Sequence, residues 1–350
     1  MTDRVVRVKV GVKTMPESNC KLYPGANATD PSDDVYKPTG LLQRNGESNR
    51  MYFGLMTGSY TKNVSGGVLR KNIGPITDEI NANTGQFTSV NGIIKTLDKL
   101  RVEDFNYSTY AYDTNCGGKG WLTTRPINES ECRMWGNPVG EMMYETLRYF
   151  SGSTAGTPDY LYSTSDTGLD DNQIGLPVAT WQNPYSIYSY CAKPFMLVIS
   201  DINPSYDSDK IPGNSSAFGS SFTASSLTSA TGTAFNAETL ADTISTEEGI
   251  TNKSYYTGHS AGNTPAYDGA CSAKNVSGFG NTRGLCPEEP TKEGSFYSAS
   301  AAYFGLKEDI SSATGEQNVA TYVVGLASPL PRIEIPVDGK TITMVPFAKS

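Results

Sequence analysis

Oxygen-bearing side chains crowd one stretch of the chain, Phe195 to Asp209 (FMLVISDINPSYDSD). Asp201 is followed within eight residues by Asn203, Ser205, Asp207 and Asp209. Carboxylate, amide and hydroxyl oxygens are what hard cations such as magnesium or calcium take, six or more at about 2.0–2.6 Å. Asp201 with waters and one hydroxyl begins such a site and does not finish it. The competing reading is a carboxylate that hydrogen-bonds its own loop. Asp207 and Asp209 are spaced like EF-hand ligands, but the required glycine and terminal glutamate are missing, so a solvated acidic turn is expected. Asp166, Asp170 and Asp171 (SDTGLDDNQIG) carry a weaker form of the same signal, again read as turn chemistry.

Nucleophilic chemistry has one formal candidate. Gly258-His259-Ser260-Ala261-Gly262 fits the GxSxG pattern of a nucleophile elbow. That elbow needs a strand before it and a helix after it, whereas NKSYYT precedes and NTPAYDG follows, so the segment is expected to be a loop. His259 is the one histidine of the chain and lies inside the motif, which leaves no second imidazole to act as base. Paired carboxylates for glycoside hydrolysis remain an open alternative, with no pair singled out.

Six cysteines are present, Cys20, Cys116, Cys132, Cys191, Cys271 and Cys286, and none lies in a CxxC pair. With a single histidine, a structural zinc site is not expected. Cys116/Cys132 and Cys271/Cys286 each bracket a short loop, which fits local disulfides in an oxidising compartment. Cys20 with Cys191 is the pairing left by elimination. Six reduced, buried thiols are the alternative reading.

What positions Asp201 is the apolar run before it. Phe195 to Ile199 has strand length and stops at Ser200, and a continuous apolar run of this kind reads as a strand buried on both faces of a parallel sheet. Open α/β sheets place ligands beyond the carboxyl ends of their strands, where Asp201 would sit. A helix is expected over 138–151, with Asn137 as N-cap, Pro138 in the first turn, an apolar stripe of Val139, Met142, Met143, Leu147 and Phe150, and a stop at Gly152. A second helix is expected over 294–306, its Ala299, Ala301 and Ala302 allowing close packing, and a buried strand over 319–326. Helix, strand, helix and strand alternate, which implies parallel strands joined by crossovers and a doubly wound, mostly parallel α/β core. Further strands are expected at Val5–Val10, Met51–Met56 and Thr341–Phe347, and a short helix at 93–100.

The remaining chain is rich in loops. Residues 14–49 are turn-rich, 201–293 is far longer than an ordinary connection, and 214–233 is a low-complexity serine/threonine stretch expected to be mobile. No internal repeat is visible. The 350 residues carry a formal net charge of −8, which argues against a nucleic-acid partner. No apolar run approaches the ~18 residues of a membrane span, and Met1 is followed by no export signal. Cysteines without such a signal suggest a fragment of something longer. Tyr107, Tyr110 and Tyr112, and Tyr185, Tyr188 and Tyr190, form two clusters suited either to contact surfaces or to covering the core.

The order of segments resembles the PilC/PilY family of type IV pilus tip proteins. The resemblance runs through RVVRVKV, NCKLYP, YKPTGLLQRN, MYFGLMTGSY and GGVLRKNIGPI, then WGNPVGEMMYETLRYFSG, CAKPFMLVISDINPSYDSDKIPG, GSFYSASAAYFG and QNVATYVVGLAS. It implies one von Willebrand factor A-like domain over 1–350, incomplete, with disulfide-clamped insertions at about 11–50, 101–134 and 201–293. In that family the domain can carry a metal-ion-dependent adhesion site, built from DxSxS on a first strand, a threonine loop, and an aspartate that Asp201 matches. Here DxSxS is missing, since Asp30-Pro31-Ser32-Asp33-Asp34 lies among turns. Its strand is expected upstream of Met1, and Asn137 stands in the nearest counterpart of the threonine loop. Magnesium or calcium is therefore expected only in a longer protein. A second departure is Gly11, where related sequences often have cysteine, which leaves the partner of Cys20 open. The β-propeller with its calcium loop that normally follows is not in this sequence.

The resemblance implies a non-enzymatic role in pilus assembly and surface adhesion, outside the cell at the pilus tip or outer surface. Minor pilins, other pilus components and a host or abiotic surface are the implied partners. A secreted carboxylate-pair hydrolase and a non-functional truncated product are the alternatives.

Overall fold

The computed structural model describes residues 10–25, 31–103, 105–112, 125–201, 203–219, 225–263, 267–286, 288, 290–326 and 333–344. The chain divides into two compact units, Met1–Leu55 with Arg70–Leu100, and Met56–Leu69 with Arg101–Ser350. The expected strand at Val5–Val10 lies, but for Val10, outside the described residues.

In the first unit, β1 (Cys20–Tyr23) pairs antiparallel with β2 (Val35–Pro38). Tyr23 is buried beneath the ammonium groups of Lys21 and Lys37, 5.1 and 5.6 Å from its ring. A short helix α1 (Leu41–Gly46) follows, then β3 (Phe53–Thr57) and β4 (Val68–Gly74), hydrogen-bonded neighbours whose residues up to Leu55 and from Arg70 belong to this unit. Helix α2 (Ile93–Lys99) matches its expected position. Gly92, at its N-cap position, has no side chain to offer, and the buried Glu79 accepts from Ile93 N at 2.9 Å and Ile94 N at 2.8 Å instead. A carboxylate there also suits the positive end of the helix dipole.

The second unit opens with two-residue strands β5 (Phe105–Asn106) and β6 (Ala111–Tyr112) and then helix α3 (Val139–Phe150). Val139, Met143, Leu147 and Phe150 are buried as expected, and so are Glu141, Tyr144, Glu145 and Arg148. A helix buried so widely must satisfy its polar residues internally. Glu145 pairs with Arg148 at 2.9 Å and accepts from Thr157 N at 2.6 Å. A short helix α4 (Asp170–Gln173) precedes β7 (Phe195–Ser200). Helix α6 (Tyr297–Lys307) packs on α3, and β11 (Ala320–Gly325) runs parallel to β7 with Leu197 opposite Tyr322 and Ile199 opposite Val324. A Cβ on Gly305 would come within 2.8 Å of Leu147, which measures how closely α3 and α6 approach. Helix α6 begins at Tyr297, three residues later than expected. Gly294 O accepts from Gly284 N, and Ser295 is bonded to Asp207, so these residues are held out of the helix.

Two expectations about the sheet change. Met196 is 5 % exposed on the face covered by the helices, but Leu197 and Ile199 are each 60 % exposed on the other. β7 is therefore covered on one face among the described residues, because α3 and α6 lie on a single side of the pair. Tyr322, Val323 and Val324 of β11 are exposed too, where a buried strand was expected. The mostly parallel sheet is represented among the described residues by this one pair; the other pairings with a determined direction are antiparallel.

The long connection after β7 is more structured than its composition suggests. It holds α5 (Ala237–Glu247), whose N-cap Asn236 Oδ1 accepts from Thr239 N at 2.8 Å, and an antiparallel sheet in the order β10-β8-β9. Its strands are β8 (Lys253–Ser260), β9 (Tyr267–Val276) and β10 (Thr282–Leu285). Within the serine/threonine stretch, Phe218 and Leu227 are buried, and residues 220–224 lie outside the described residues. A hairpin of β12 (Ile333–Val337) and β13 (Lys340–Met344) follows β11. Among the described residues no helix is long and apolar enough to cross a membrane.

Candidate functional site

The carboxyl end of β7 gathers three loops, which carry Asn137, Asp201 and Glu288. Asp201 is exposed, and its Oδ1 accepts from Asn137 Nδ2 at 2.9 Å and from its own loop at Asn203 N, 3.1 Å. The same Asn137 amide lies 3.0 Å from Ser200 Oγ and 3.0 Å from the Asn203 carbonyl. Asn137 N donates to Ser205 Oγ at 2.9 Å, and Ser205 N donates back to Asn137 O at 2.9 Å. The side chain of Asn137 is thus taken by the end of β7 and does not cap α3, as its position before Pro138 suggested. Pro138 takes the N-cap position without a side-chain bond. Asn203 Nδ2 reaches Glu288 Oε1 at 3.1 Å, Glu288 is paired with Lys292, and the Lys292 ammonium stands 5.2 Å from the Trp135 ring centroid.

The backbone is strained at this junction. Tyr206, Cys132 and Glu293 have φ of 54°, 48° and 54°, in the left-handed region that non-glycine residues seldom occupy. Tyr206 N donates to Lys292 O at 2.7 Å, and its ring is buried with Val64, Ile127 and Cys132, against which Trp135 packs.

Beneath the rim lie buried acids. Asp207 Oδ1 accepts from Ser295 N at 2.8 Å and Ser295 Oγ at 2.9 Å. Its Oδ2 faces Gly140 in the first turn of α3, where a Cβ would lie 3.0 Å from it. Burial pushes Asp207 up to about 7, against only partial compensation from these hydrogen bonds. Glu141 accepts from Gly66 N at 2.6 Å and Lys210 N at 3.0 Å. Burial, then the charges of Asp209 and Asp207, holds it well above the usual carboxylate range. Asp209 is raised by burial as well. Lys210 pairs with Glu129 at 2.7 Å. The acidic turn expected at Asp207 and Asp209 is in fact internal, because Ser295 and the start of α3 close over it.

These geometries limit the chemistry. Asp201 is held by amide donors, and no group of three or more His, Cys, Asp or Glu side chains is placed to hold a metal among the described residues. The residues present do not fit a divalent cation by themselves. Glu141 and Asp207 are both 0 % exposed, so neither carboxyl reaches a dissolved glycan. Gly258, His259 and Ser260 are part of β8, a correction to the expected loop; their polar neighbours hid the strand. A turn and then β9 follow, not a helix, and Ser260 Oγ is buried and donates to Asn275 O at 2.9 Å. No nucleophile elbow is formed.

Elsewhere, Asp166 Oδ1 accepts from Gly168 N in an Asx turn, Asp170 pairs with Arg133 at 2.5 Å, and buried Asp171 accepts from Ser59 Oγ and Thr61 N. Cys271 and Cys286 form a disulfide that ties β9 to the residue after β10. Cys132 is disulfide-bonded and buried, and Cys116 lies outside the described residues. Cys20 and Cys191 are free thiols, so the pairing left by elimination is not made. Cys20 Sγ donates instead to Glu17 Oε2 at 3.2 Å, and Cys191 is exposed. Tyr107, Tyr110 and Tyr190 are exposed, whereas Tyr185 and Tyr188 are half-buried. Glu141, Glu288 and Lys292 carry no sequence signal of a shared site with Asp201, since no spacing links 141, 201 and 288.

Comparison with known proteins now bears on this site. A family model described as "PilY1 homolog, second domain" matches residues 53–305, more than half of the chain and both sides of the β7 crevice. The chain belongs to the PilY1 family. The type IV pilus biogenesis factor PilY1 homolog of Xylella fastidiosa (strain Temecula1 / ATCC 700964) is 44 % identical over 369 aligned positions. The match covers 100 % of this chain and 23 % of that PilY1 homolog. No solved structure matches the chain.

Proposed function

We propose that this chain works as a non-enzymatic, von Willebrand factor A-like domain of a type IV pilus protein, in pilus assembly and surface attachment. The observation that carries the reading is the 44 % identity, along the whole chain, to a protein named as a type IV pilus biogenesis factor. The order α3, β7, α6, β11, with Asp201 beyond the carboxyl end of β7 and the Asn137 loop beside it, supports a von Willebrand A-like core. On this reading residues 1–350 are one such domain with insertions at about 11–50, 101–134 and 201–293. The domain acts outside the cell, at the pilus tip or outer surface, with minor pilins, other pilus components and the surface itself as partners. Asp201 and Asn137 hold the crevice rim in shape, and the tyrosine-bearing loops and the disulfide-tied insertion present contact area.

The test uses a piliated bacterium whose own family member has been deleted. Restoring the full-length gene should restore surface pili and attachment, and the same gene lacking the segment equivalent to residues 53–305 should not. Equal pilus counts and attachment with both genes, at equal protein levels, would refute the proposal. Turnover of glycan or ester substrates by the purified chain would refute its non-enzymatic part.

A further inference from the structure

His259 is the one histidine of the chain and is 6 % exposed. Neither ring nitrogen has a hydrogen-bond partner among the described residues. It stands on β8, the central strand of its sheet, with Arg283 of β10 directly opposite on one side and Tyr267 of β9 on the other. Phe218 meets the imidazole edge-on with ring centroids 5.3 Å apart, and the Tyr267 ring lies 6.0 Å away. The Arg283 guanidinium also lies over the Phe218 ring, 4.7 Å from its centroid. The ladder between β8 and β9 is irregular between Thr257 and His259, so the pairing is locally disrupted beside the imidazole.

We propose that His259 makes the β8–β10 sheet an acid-sensitive element, closed while the imidazole is neutral and loosened when it takes up a proton. The proposal goes beyond the pilus reading and does not depend on it. A neutral imidazole already leaves one donor and one acceptor unmet in this pocket; an imidazolium would bury a charge and two unmet donors. Its cross-strand neighbour would then be a like charge, which destabilises a directly opposed pair.

The charged groups around it do not relieve this. Lys274 of β9 is buried and gives its ammonium to Thr257 O at 2.7 Å and Asp268 Oδ1 at 2.9 Å. Arg283 pairs with Glu293 at 3.1 Å and approaches Ser208. Both carboxylates are thus committed to the cations. Burial, then the charges of Arg283 and Lys274, holds the imidazole below its ordinary value of 6.5. Burial raises Glu293, so its own protonation favours the folded state and has the opposite sign to that of the imidazole. A folded-state value below the unfolded one means the contribution is full above 6.5 and is lost as pH falls below it. Histidine is the side chain that titrates in this range without further tuning.

Two measurements on the full chain decide it. A proton NMR titration of the imidazole Cε1–H is unambiguous with one histidine, and its midpoint should fall below 6.5. Hydrogen-exchange protection factors of β8 and β9 amides, corrected for intrinsic rates, should fall with acidification below that value by up to about tenfold per pH unit. In His259→Phe, which keeps an aromatic ring in the pocket, that fall should disappear. A midpoint at or above 6.5, or the same loss of protection in His259→Phe, would overturn the proposal. If the variant does not fold, the titration of the unaltered chain decides alone.

Discussion

Two sheets of the second unit bury their residues in opposite ways. The β7–β11 pair is parallel and apolar, lies under α3 and α6 on one face, and leaves Leu197 and Ile199 exposed on the other. The β8–β10 sheet is antiparallel, buries Thr257, His259, Ser260 and Lys274, and is tied by the Cys271–Cys286 disulfide. The first ends on buried acids, Asp207, Glu141 and Asp209; the second encloses a neutral imidazole and two cations. Each therefore draws its stability from a different source. Apolar packing against helices organises one, and a covalent tie with internal polar contacts organises the other. Burial raises the acids and lowers the imidazole, so the pH responses of Asp207 and His259 have opposite sign.

The largest expected effect separates the covered face from the open one. Leu147→Ala removes a fully buried side chain between α3 and α6 and should cost about 2–5 kcal/mol in denaturant unfolding. Breaking the tie of the other sheet comes next. Cys271→Ser with Cys286→Ser opens a loop of sequence separation 15 and should cost about 3 kcal/mol. Hydrogen exchange should place that loss in β8–β10 and spare α3; an even loss across both would erase the contrast.

Asp207→Asn tests the acids. With its folded value raised to about 7 from 3.8, Asp207 favours folding fully below 3.8 and loses that contribution as pH rises to about 7. Stability should therefore decline by about 1.4 kcal/mol per pH unit from this group across that window. The variant should lack this component, seen as a flatter plot of midpoint against pH. The smallest effect belongs to the open face. Leu197→Ser should change stability by about 0.5 kcal/mol or less. A loss comparable to that of Leu147→Ala would mean the face is covered in solution.

The parts of this fold legible in the sequence are those whose pattern is apolar and local. FMLVIS, the stripe of α3 and the small residues of α6 each announce an element by composition alone, and each lies within a few residues of its expected place. The β8–β10 sheet was invisible because KSYYTGHS and TRGL bury polar side chains, among which Thr257, Ser260 and Thr282 find their partners only once folded. Open exposure on β7 was equally hidden, since an apolar run states that burial is favourable and not which neighbour supplies it. At the candidate site, Asp201 was readable as a polar residue closing an apolar strand. The engagement of Asn137 was not, because its place before Pro138 suits a helix cap equally well and only tertiary contact chooses between the two. The burial of Asp207 likewise depends on Ser295 and Gly140, residues far from it in sequence.

The proposal that the β7 crevice shapes the working surface of a pilus protein is tested most directly by attachment of cells carrying Asn137→Ala with Asp201→Ala in the full-length gene. With surface pilus counts and attached cells scored at equal protein levels, attachment, pilus number or both should fall clearly below those of the unaltered gene. Unchanged values for both would contradict it.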